Sequence, residues 1–540
     1  MPGERGFDRK SQSGKVPEPD VRVEVLVIGA GPSGVAAATA AAKGGAQVLL
    51  VDETPVGAGL MGLDAPFFFG GRYTAAVQSR QRMMAQVLAA RPGLEDAHEA
   101  GVQIELGVSC WGAWTPGYGL ASLPCALAGL ADEERAWMVG FERLILATGA
   151  RDVVLSFKGW EQPGVLGARG LESLLTDYDA FVGRRLVILG SGELGLGCAR
   201  LARERGLEVA AIVEVEDAVR ADPAAFRALG AECLTGFAPL EARGGRDGVE
   251  SLVIGNLQSG NRREVICDTI VQAVSLTPAV EILDVLGAQI AMQSRLGGHA
   301  PVSLDGAATS QPHVFIAGDV AGVPGGSHLT AEAAIESGRR AAHSVLASLG
   351  RRSAEDFAER TDQGLDAVTV QQTWARALMA QNGDSVIVCL CEEVSRQALL
   401  SVQPPAYLGP ATPTQAARGL ARLLQDGPPN QDQIKRLTRA GMGPCQGRRC
   451  REQIALTLAC ASNCSAELIP LAGYRAPVRP LPLKVLADWN EAPVMGRHWD
   501  VWMGIRGQWA PYADVGTDRE TVNDDLLGGD LHLCADRGRR

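Results

Sequence analysis

The sequence predicts an α/β protein of two dinucleotide-binding, Rossmann-like domains, the second inserted in the first, followed by a small α-rich domain. Three observations predict it. A strand–glycine turn–helix–strand unit begins at residue 23, and a second copy begins near residue 185. Two strand-and-turn signatures, at 147–149 and 318–319, flank the second copy. Two close pairs of cysteines stand downstream of both. At roughly 150 residues per domain, a chain of 540 residues has room for three or four.

The opening stretch, 1–22, is polar and is expected to be disordered. It lacks the apolar segment of a secretory signal. No apolar run reaches the ~18 residues that would cross a bilayer, so no transmembrane segment is expected. The net charge of -11, with no basic run interleaved with aromatics, argues against a nucleic-acid partner. The expected setting is the cytoplasm, or a peripheral position on the inner membrane. In a reducing compartment the 12 cysteines are not a disulfide framework.

Residues 23–28, VEVLVI, read as a buried parallel strand. GAGPSG follows and sets Gly29, Gly31 and Gly34 in the G-x-G-x-x-G pattern, with Pro32 and Ser33 between. Gly29 permits the tight turn, Gly31 lets backbone N–H groups approach a pyrophosphate, and Gly34 lets helix pack on strand. The helix N-terminus favours the phosphates. VLLVDE is the second strand. Asp52 ends it about 20 residues on, where an acid holds a ribose hydroxyl, and Glu53 is the neighbouring candidate. The N-terminal location suggests FAD. RLILATGARD carries Ala147-Thr148-Gly149 after a buried strand, and HVFIAGDVAG ends a strand at Gly318-Asp319. In a flavoprotein with two such domains, the first marks the chain's crossing between them. The aspartate of the second reaches the flavin's ribityl or phosphate region.

RRLVILGSGELGLGCARLARERGLEVAAIVE repeats the plan, with Gly190, Gly192, Glu193 and Gly195 at the turn and Glu214 ending the strand. An acid there favours NAD over NADP. The domain is expected to turn over NAD, to hold NAD or another adenine nucleotide as a fixed ligand, or to be structural. No C-x-x-C stands near these motifs, which disfavours a redox-active disulfide.

Residues 351–383 read as a helical bridge. VIVCLCEEV then gives a short strand carrying Cys389 and Cys391, and DQIKRLTRAGMG a helix with a glycine stop that delivers Cys445 and Cys450 in PCQGRRC. One residue between the first two thiols is tight for zinc, whose ligands are usually two to four apart. It suits a [2Fe-2S] cluster, ahead of zinc or vestigial thiols. Cys460 and Cys464 are a weaker alternative pair. Arg448, Arg449 and Arg451 would offset cluster charge or form a solvated basic turn. Beyond YRAPVRPLPLK, the tail holds Trp489, Trp499, Trp502 and Trp509, as a contact surface or folded back on its own core. No catalytic residue is assigned.

Together VIGAGPSG, LILATGARD, GWEQPGVLGARG, IAGDVAG, CLCEEV and LTRAGMGPCQGRRC resemble the FAD/[2Fe-2S] alpha subunits of bacterial amine and imino-acid oxidoreductases. That family includes sarcosine oxidase alpha and the corresponding subunits of opine oxidase and hydrogen cyanide synthase. The cysteine domain resembles the bacterioferritin-associated-ferredoxin type. The resemblance spans roughly 23–485. It implies FAD at Gly29, Gly31, Gly34, Asp52 and Asp319, and a [2Fe-2S] cluster on Cys389, Cys391, Cys445 and Cys450. It also implies partners: an FAD-dependent amine-oxidising beta subunit, and a small ferredoxin-like subunit. VGAGLMGLDAPFFFGGRY departs from the family's usual Gly-Gly-Gln segment.

The expected domains are 23–157 with 286–350 for FAD and 158–285 for the inserted nucleotide domain. The bridge follows, then 384–475 for the cluster and 476–540 as a Pro/Trp-rich extension. The expected function is electron transfer within a heteromeric oxidoreductase acting on the C–N bond of a secondary amine or amino acid. The alternatives are a self-contained NAD(P)H-dependent reductase passing electrons to a ferredoxin-like acceptor, and a structural subunit.

Overall fold

The structure, a computed structural model, describes residues 18–56, 70–116, 123, 125–303, 305–351, 357, 366–405 and 412–487. In the opening unit β1 (Val21–Ile28) leads through a glycine turn into α1 (Pro32–Lys43) and β2 (Val48–Asp52). Val25, Leu26 and Val27 are fully buried, as a strand covered on both faces requires. Pro32 opens α1, where its fixed φ suits the first turn and its missing N–H costs nothing. α2 (Arg80–Ala90) and α3 (Gly93–Glu99) lead to β3 (Gln103–Leu106). β4 (Ser109–Trp114), β5 (Ala126–Ala131) and β6 (Ala136–Leu146) follow. The sheet runs β3-β2-β1-β6-β5-β4. It is parallel from β3 to β6 and antiparallel from β6 to β4.

β7 (Ala150–Asp152) carries the chain out of this sheet. β8 (Val165–Gly167), α4 (Ala168–Thr176), β9 (Arg185–Leu189), α5 (Glu193–Glu204) and β10 (Glu208–Glu214) begin the second unit. α6 (Pro223–Ala228) and β11 (Cys233–Thr235) come next, then an antiparallel sheet of β12 (Phe237–Gly245), β13 (Gly248–Asn256) and β14 (Arg262–Ile266). β15 (Thr269–Gln272) completes a parallel sheet in the order β11-β10-β9-β15-β8. β16 (Leu276–Pro278) brings the chain back antiparallel to β7, with Leu276 opposite Asp152. α7 (Glu281–Val285), the hairpin of β17 (Ile290–Gln293) and β18 (Gly298–Pro301), and β19 (Val314–Ile316) belong again to the first unit. There β19 pairs in parallel with β6. α8 (Ala331–Ser348) packs on α1 so closely that a Cβ on Gly338 would stand 2.1 Å from the Ser33 carbonyl oxygen.

The remainder is helical: α9 (Ala367–Gln381), the small hairpin β20 (Ile387–Cys389) and β21 (Val394–Ser395), and α10 (Arg396–Leu400). Single turns α11 (Pro413–Ala416) and α12 (Leu420–Leu423) precede α13 (Gln431–Thr438), α14 (Arg451–Ala461) and α15 (Leu483–Ala487). This part does not stand apart. Its buried Trp374, Leu399 and Ile454 share one apolar core with Phe157, Trp160 and Leu252 of the second unit. Burying apolar faces against each other contributes roughly 25 cal/mol per Å².

Two expectations change. The first strand begins at Val21, inside the stretch expected to be disordered, because Asp20 bonds the Met138 backbone through both its N–H and its carboxylate. Residues 1–17 lie outside the described residues, as do 57–69 of the unusual stretch beside the flavin motifs and the four tail tryptophans. The glycine stop expected for α13 is not its end: Arg439, at φ 62°, takes the left-handed position two residues earlier. Residues 476–487, the start of the expected Pro/Trp-rich extension, pack against the first unit. Val478 is fully buried, its N–H donates to the Trp111 carbonyl, and Lys484 pairs with Glu134.

Candidate functional site

The first glycine turn opens on a cleft of about 500 Å³. Gly29, at φ +108°, leaves no room for a Cβ, which would meet the Ala147 carbonyl oxygen at 2.2 Å. Gly34 does not line the cleft. It lets α1 sit on the turn, where a Cβ would stand 1.7 Å from the Gly29 oxygen. Gly31 differs from both: a Cβ there would meet no protein atom within 4 Å, so the space belongs to the cleft. Pro32, Ser33, Asp52, Glu53, Thr148, Gly149, Gly318 and Asp319 line the same space. The turn and both flanking signatures, far apart in sequence, therefore converge.

Their side chains are already engaged. The Asp52 carboxylate accepts from Ala30 N–H at 2.5 Å and Thr54 N–H at 2.7 Å, and pairs with Arg91 at 3.2 Å. Arg91 also meets Asp177 at 3.4 Å. Burial works against the Arg91 charge, yet Asp52 and Asp177 hold its pKa above the ordinary value. Asp319 accepts from Leu329 N–H at 3.0 Å and faces His328 Nδ1 at 2.8 Å. Glu53 pairs with Arg479 at 2.7 Å.

The second turn repeats the backbone design. Gly190 and Gly195 are packed as Gly29 and Gly34 are, and Gly192 faces open space as Gly31 does. Glu193 is exposed at the first helical position. Glu214 breaks the parallel. It is 1% exposed, whereas the Asp52 side chain is 11% exposed. It accepts from the Ser191 hydroxyl at 2.7 Å and from the N–H groups of Ser191, Val215 and Glu216. Its oxygens face inward, which is not the placement expected of an acid that holds a ribose.

The four cysteines come together as a ring. β20 places Cys389, the turn after it places Cys391, and Cys445 and Cys450 lie just before α14. Cys391 and Cys445 sulfurs are 3.5 Å apart. Hydrogen bonds from Cys391 and Cys450 pull Cys389 down to about 4 and Cys445 well below the usual thiol range. The same contacts push the Cys391 and Cys450 thiols up. Gly441 N–H donates to Cys389 Sγ at 3.3 Å. A Cβ on Gly443 would meet Cys391 Sγ at 2.5 Å, so the loop closes on the ring. Among the described residues, no group of three or more His, Cys, Asp or Glu side chains is placed to hold a metal ion. Cys460 and Cys464 stay out of the ring. Cys460 is half-buried rather than buried, and its thiol is raised by that burial.

Residues 23–338 match the family model of pyridine nucleotide-disulphide oxidoreductases. The chain belongs to that family. An opine oxidase subunit of Rhizobium meliloti is 27% identical over 497 residues, covering 86% of this chain and 98% of that one. Hydrogen cyanide synthase subunit HcnB of Pseudomonas aeruginosa is 26% identical over 467 residues, covering 79% and 90%. The crystal structure of L-proline dehydrogenase from P. horikoshii aligns with a TM-score of 0.56 at 17% identity, over 86% of this chain and 79% of that one, a likeness of fold. This pyridine nucleotide-disulphide oxidoreductase is thus of the flavoprotein type, and family membership supports FAD and nucleotide binding.

Several residues of this oxidoreductase's cleft had no role assigned from the sequence. Arg91, Arg151, Arg169, His328 and Arg479 line it, as does Cys110, whose thiol burial pushes up to about 12. Arg448 and Arg449, from between the second pair of cysteines, line it too. Arg448 and Arg451 are 4% and 3% exposed, so the basic turn is not solvated. Arg451 lies over the Tyr474 ring at 3.5 Å. The one available signal was the run of arginines inside PCQGRRC. Among the described residues, no helix is long and apolar enough to cross a membrane.

Proposed function

We propose that this chain is the flavin/iron–sulfur electron-transfer subunit of a heteromeric oxidoreductase that acts on the C–N bond of a secondary amine or amino acid. One observation carries the reading: Arg448 and Arg449, which separate Cys445 from Cys450, line the same cleft as Gly31 and Thr148. A thiol ring and a dinucleotide cleft share a wall. The donor set fits a [2Fe-2S] cluster, with four thiols, a backbone N–H on one sulfur and a loop too tight for a Cβ. The cleft fits FAD: Gly31 opens it to a pyrophosphate at the start of α1, and Asp52 stands at the ribose end. When bound, the flavin exchanges two electrons with an organic substrate and the cluster exchanges one at a time.

The chain's own residues bind and orient. Arg91 pairs with Asp52, His328 and Leu329 N–H fix Asp319, and Arg448 and Arg449 of the cysteine loop line one side of the cleft. Relatives named as subunits support the presence of partner subunits; our reading of them is an FAD-dependent amine-oxidising beta subunit and a small ferredoxin-like subunit. We place the complex in the cytoplasm, or peripherally on the inner membrane, where free thiols persist.

The protein purified anaerobically is expected to hold about two iron and two sulfide per chain. Cys389→Ser is expected to lose both and keep its FAD. Zinc without sulfide would end the cluster assignment. NADH distinguishes the self-contained reductase. Because Glu214 is buried and saturated, NADH is expected not to bleach the flavin of the isolated chain; rapid bleaching would favour that alternative. The complex with its co-purified partners, assayed with an artificial acceptor against sarcosine, glycine, proline, hydroxyproline and opines, identifies the substrate. FAD and iron at full occupancy with no reduction by any of them would favour a structural subunit.

A further inference from the structure

The residue after the Ala147-Thr148-Gly149-Ala150 crossing is Arg151, and no motif assigns it a task. Its side chain is 10% exposed, and it joins four separate segments. Nε meets Glu281 of α7 at 2.8 Å. Both terminal nitrogens donate to the Glu452 carboxylate, at 2.9 and 2.8 Å, and Glu452 is two residues past Cys450. One of them also donates to the Arg448 carbonyl, inside the cysteine loop, and the other to the Tyr474 hydroxyl at 2.9 Å. Arg151, Glu281 and Arg448 all line the flavin cleft. The planar guanidinium grips Glu452 with two parallel bonds, a geometry a lysine cannot reproduce.

We propose that Arg151 is a positioning residue that clamps the Cys445–Cys450 loop onto the flavin cleft and couples the electrostatics of the two sites. The inference rests on the reading of the four thiols as a cluster site. A fixed positive charge one carbonyl away from the loop, flanked by two carboxylates, contributes to the potential at the sulfurs, because net charge and hydrogen bonding tune such centres. Since Glu281 and Arg151 also face the cleft, a change of charge on one side is felt on the other, and the coupling is reciprocal.

The test uses the full chain with FAD, prepared anaerobically as wild type, Arg151→Gln, Arg151→Lys and Glu452→Gln. Iron, sulfide and FAD contents are measured, and the cluster is titrated for its reduction potential. Arg151→Gln leaves Glu281 and Glu452 unopposed and is expected to lower the potential. Glu452→Gln removes a negative charge and is expected to raise it. Arg151→Lys keeps the charge and is expected to return the potential toward wild type. A merely structural arginine would reduce cofactor content without opposite shifts in the loaded molecules. Unchanged potentials in Arg151→Gln and Glu452→Gln at full loading would overturn the proposal. If Arg151→Gln fails to fold, the sign of the Glu452→Gln shift decides. If the wild type holds no iron, the cluster reading fails by itself, and the clamp is then read from the free thiols. FAD is expected to slow their alkylation in wild type and not in Arg151→Gln or, should that variant not fold, in Glu452→Gln; equal FAD effects would overturn it.

Discussion

At the scale of single residues, the three glycines of the first turn are not interchangeable. A methyl on Gly34 would overlap the Gly29 carbonyl oxygen at 1.7 Å, and backbone cannot move aside cheaply. Gly34→Ala is therefore expected to yield little soluble protein. A methyl on Gly31 meets open cleft. Gly31→Ala is expected to leave the Tm of the FAD-free protein unchanged and to weaken FAD tenfold or more, about 1.4 kcal/mol, by fluorescence titration. A fall in Tm without loss of affinity would refute that division. These positions were legible in the sequence because their spacing answers to backbone geometry within a single turn. Arg91, Arg151, Arg479 and His328 were not, since each reaches the cleft from a different stretch and no local spacing marks it. Glu214 was legible only in part, for a related reason. Its place at the end of β10 was readable, but the Ser191 hydroxyl that turns it inward is a matter of side-chain direction.

Among the elements, the α9–α14 layer and the second unit form one body. Trp160 Nε1 donates to the Ile387 carbonyl at 2.8 Å, Arg396 reaches the carbonyls of Asn382 and Ser156, and Asn382 donates to the Pro239 carbonyl. Because the apolar core is continuous across this junction, scanning calorimetry is expected to show the two melting in a single transition. Trp160→Phe keeps an aromatic ring in the core but leaves a part-buried carbonyl without its donor. It is expected to lower the stability of that transition by about 1–3 kcal/mol, without changing the transition count. Two separate peaks would contradict the shared core. The paired cysteines and the two strand–turn–helix units could be read in advance, because each is local. That the cysteine layer packs on the inserted unit could not, since apolar stripes show what is buried but not against which partner.

For the whole molecule, the cleft is a product of the chain's two ends. Ile28 to Val56 build one side, and Arg448, Arg449, Arg479 and Pro480 close another. Val478, with no exposed surface, is the peg that holds the last of these in place. Val478→Asp would force a charge into the core or expel the segment. The expected result is a protein that folds but loses FAD on gel filtration, and full retention of FAD would show that the segment is not part of the closure. The order of manufacture follows from the same geometry. A nascent chain can have the first glycine turn before Arg448 has been made, but it cannot yet have the far wall of the cleft. Enclosure of the cleft therefore belongs to the end of synthesis, after the segment that bears Arg448, Arg449 and Arg479 has emerged.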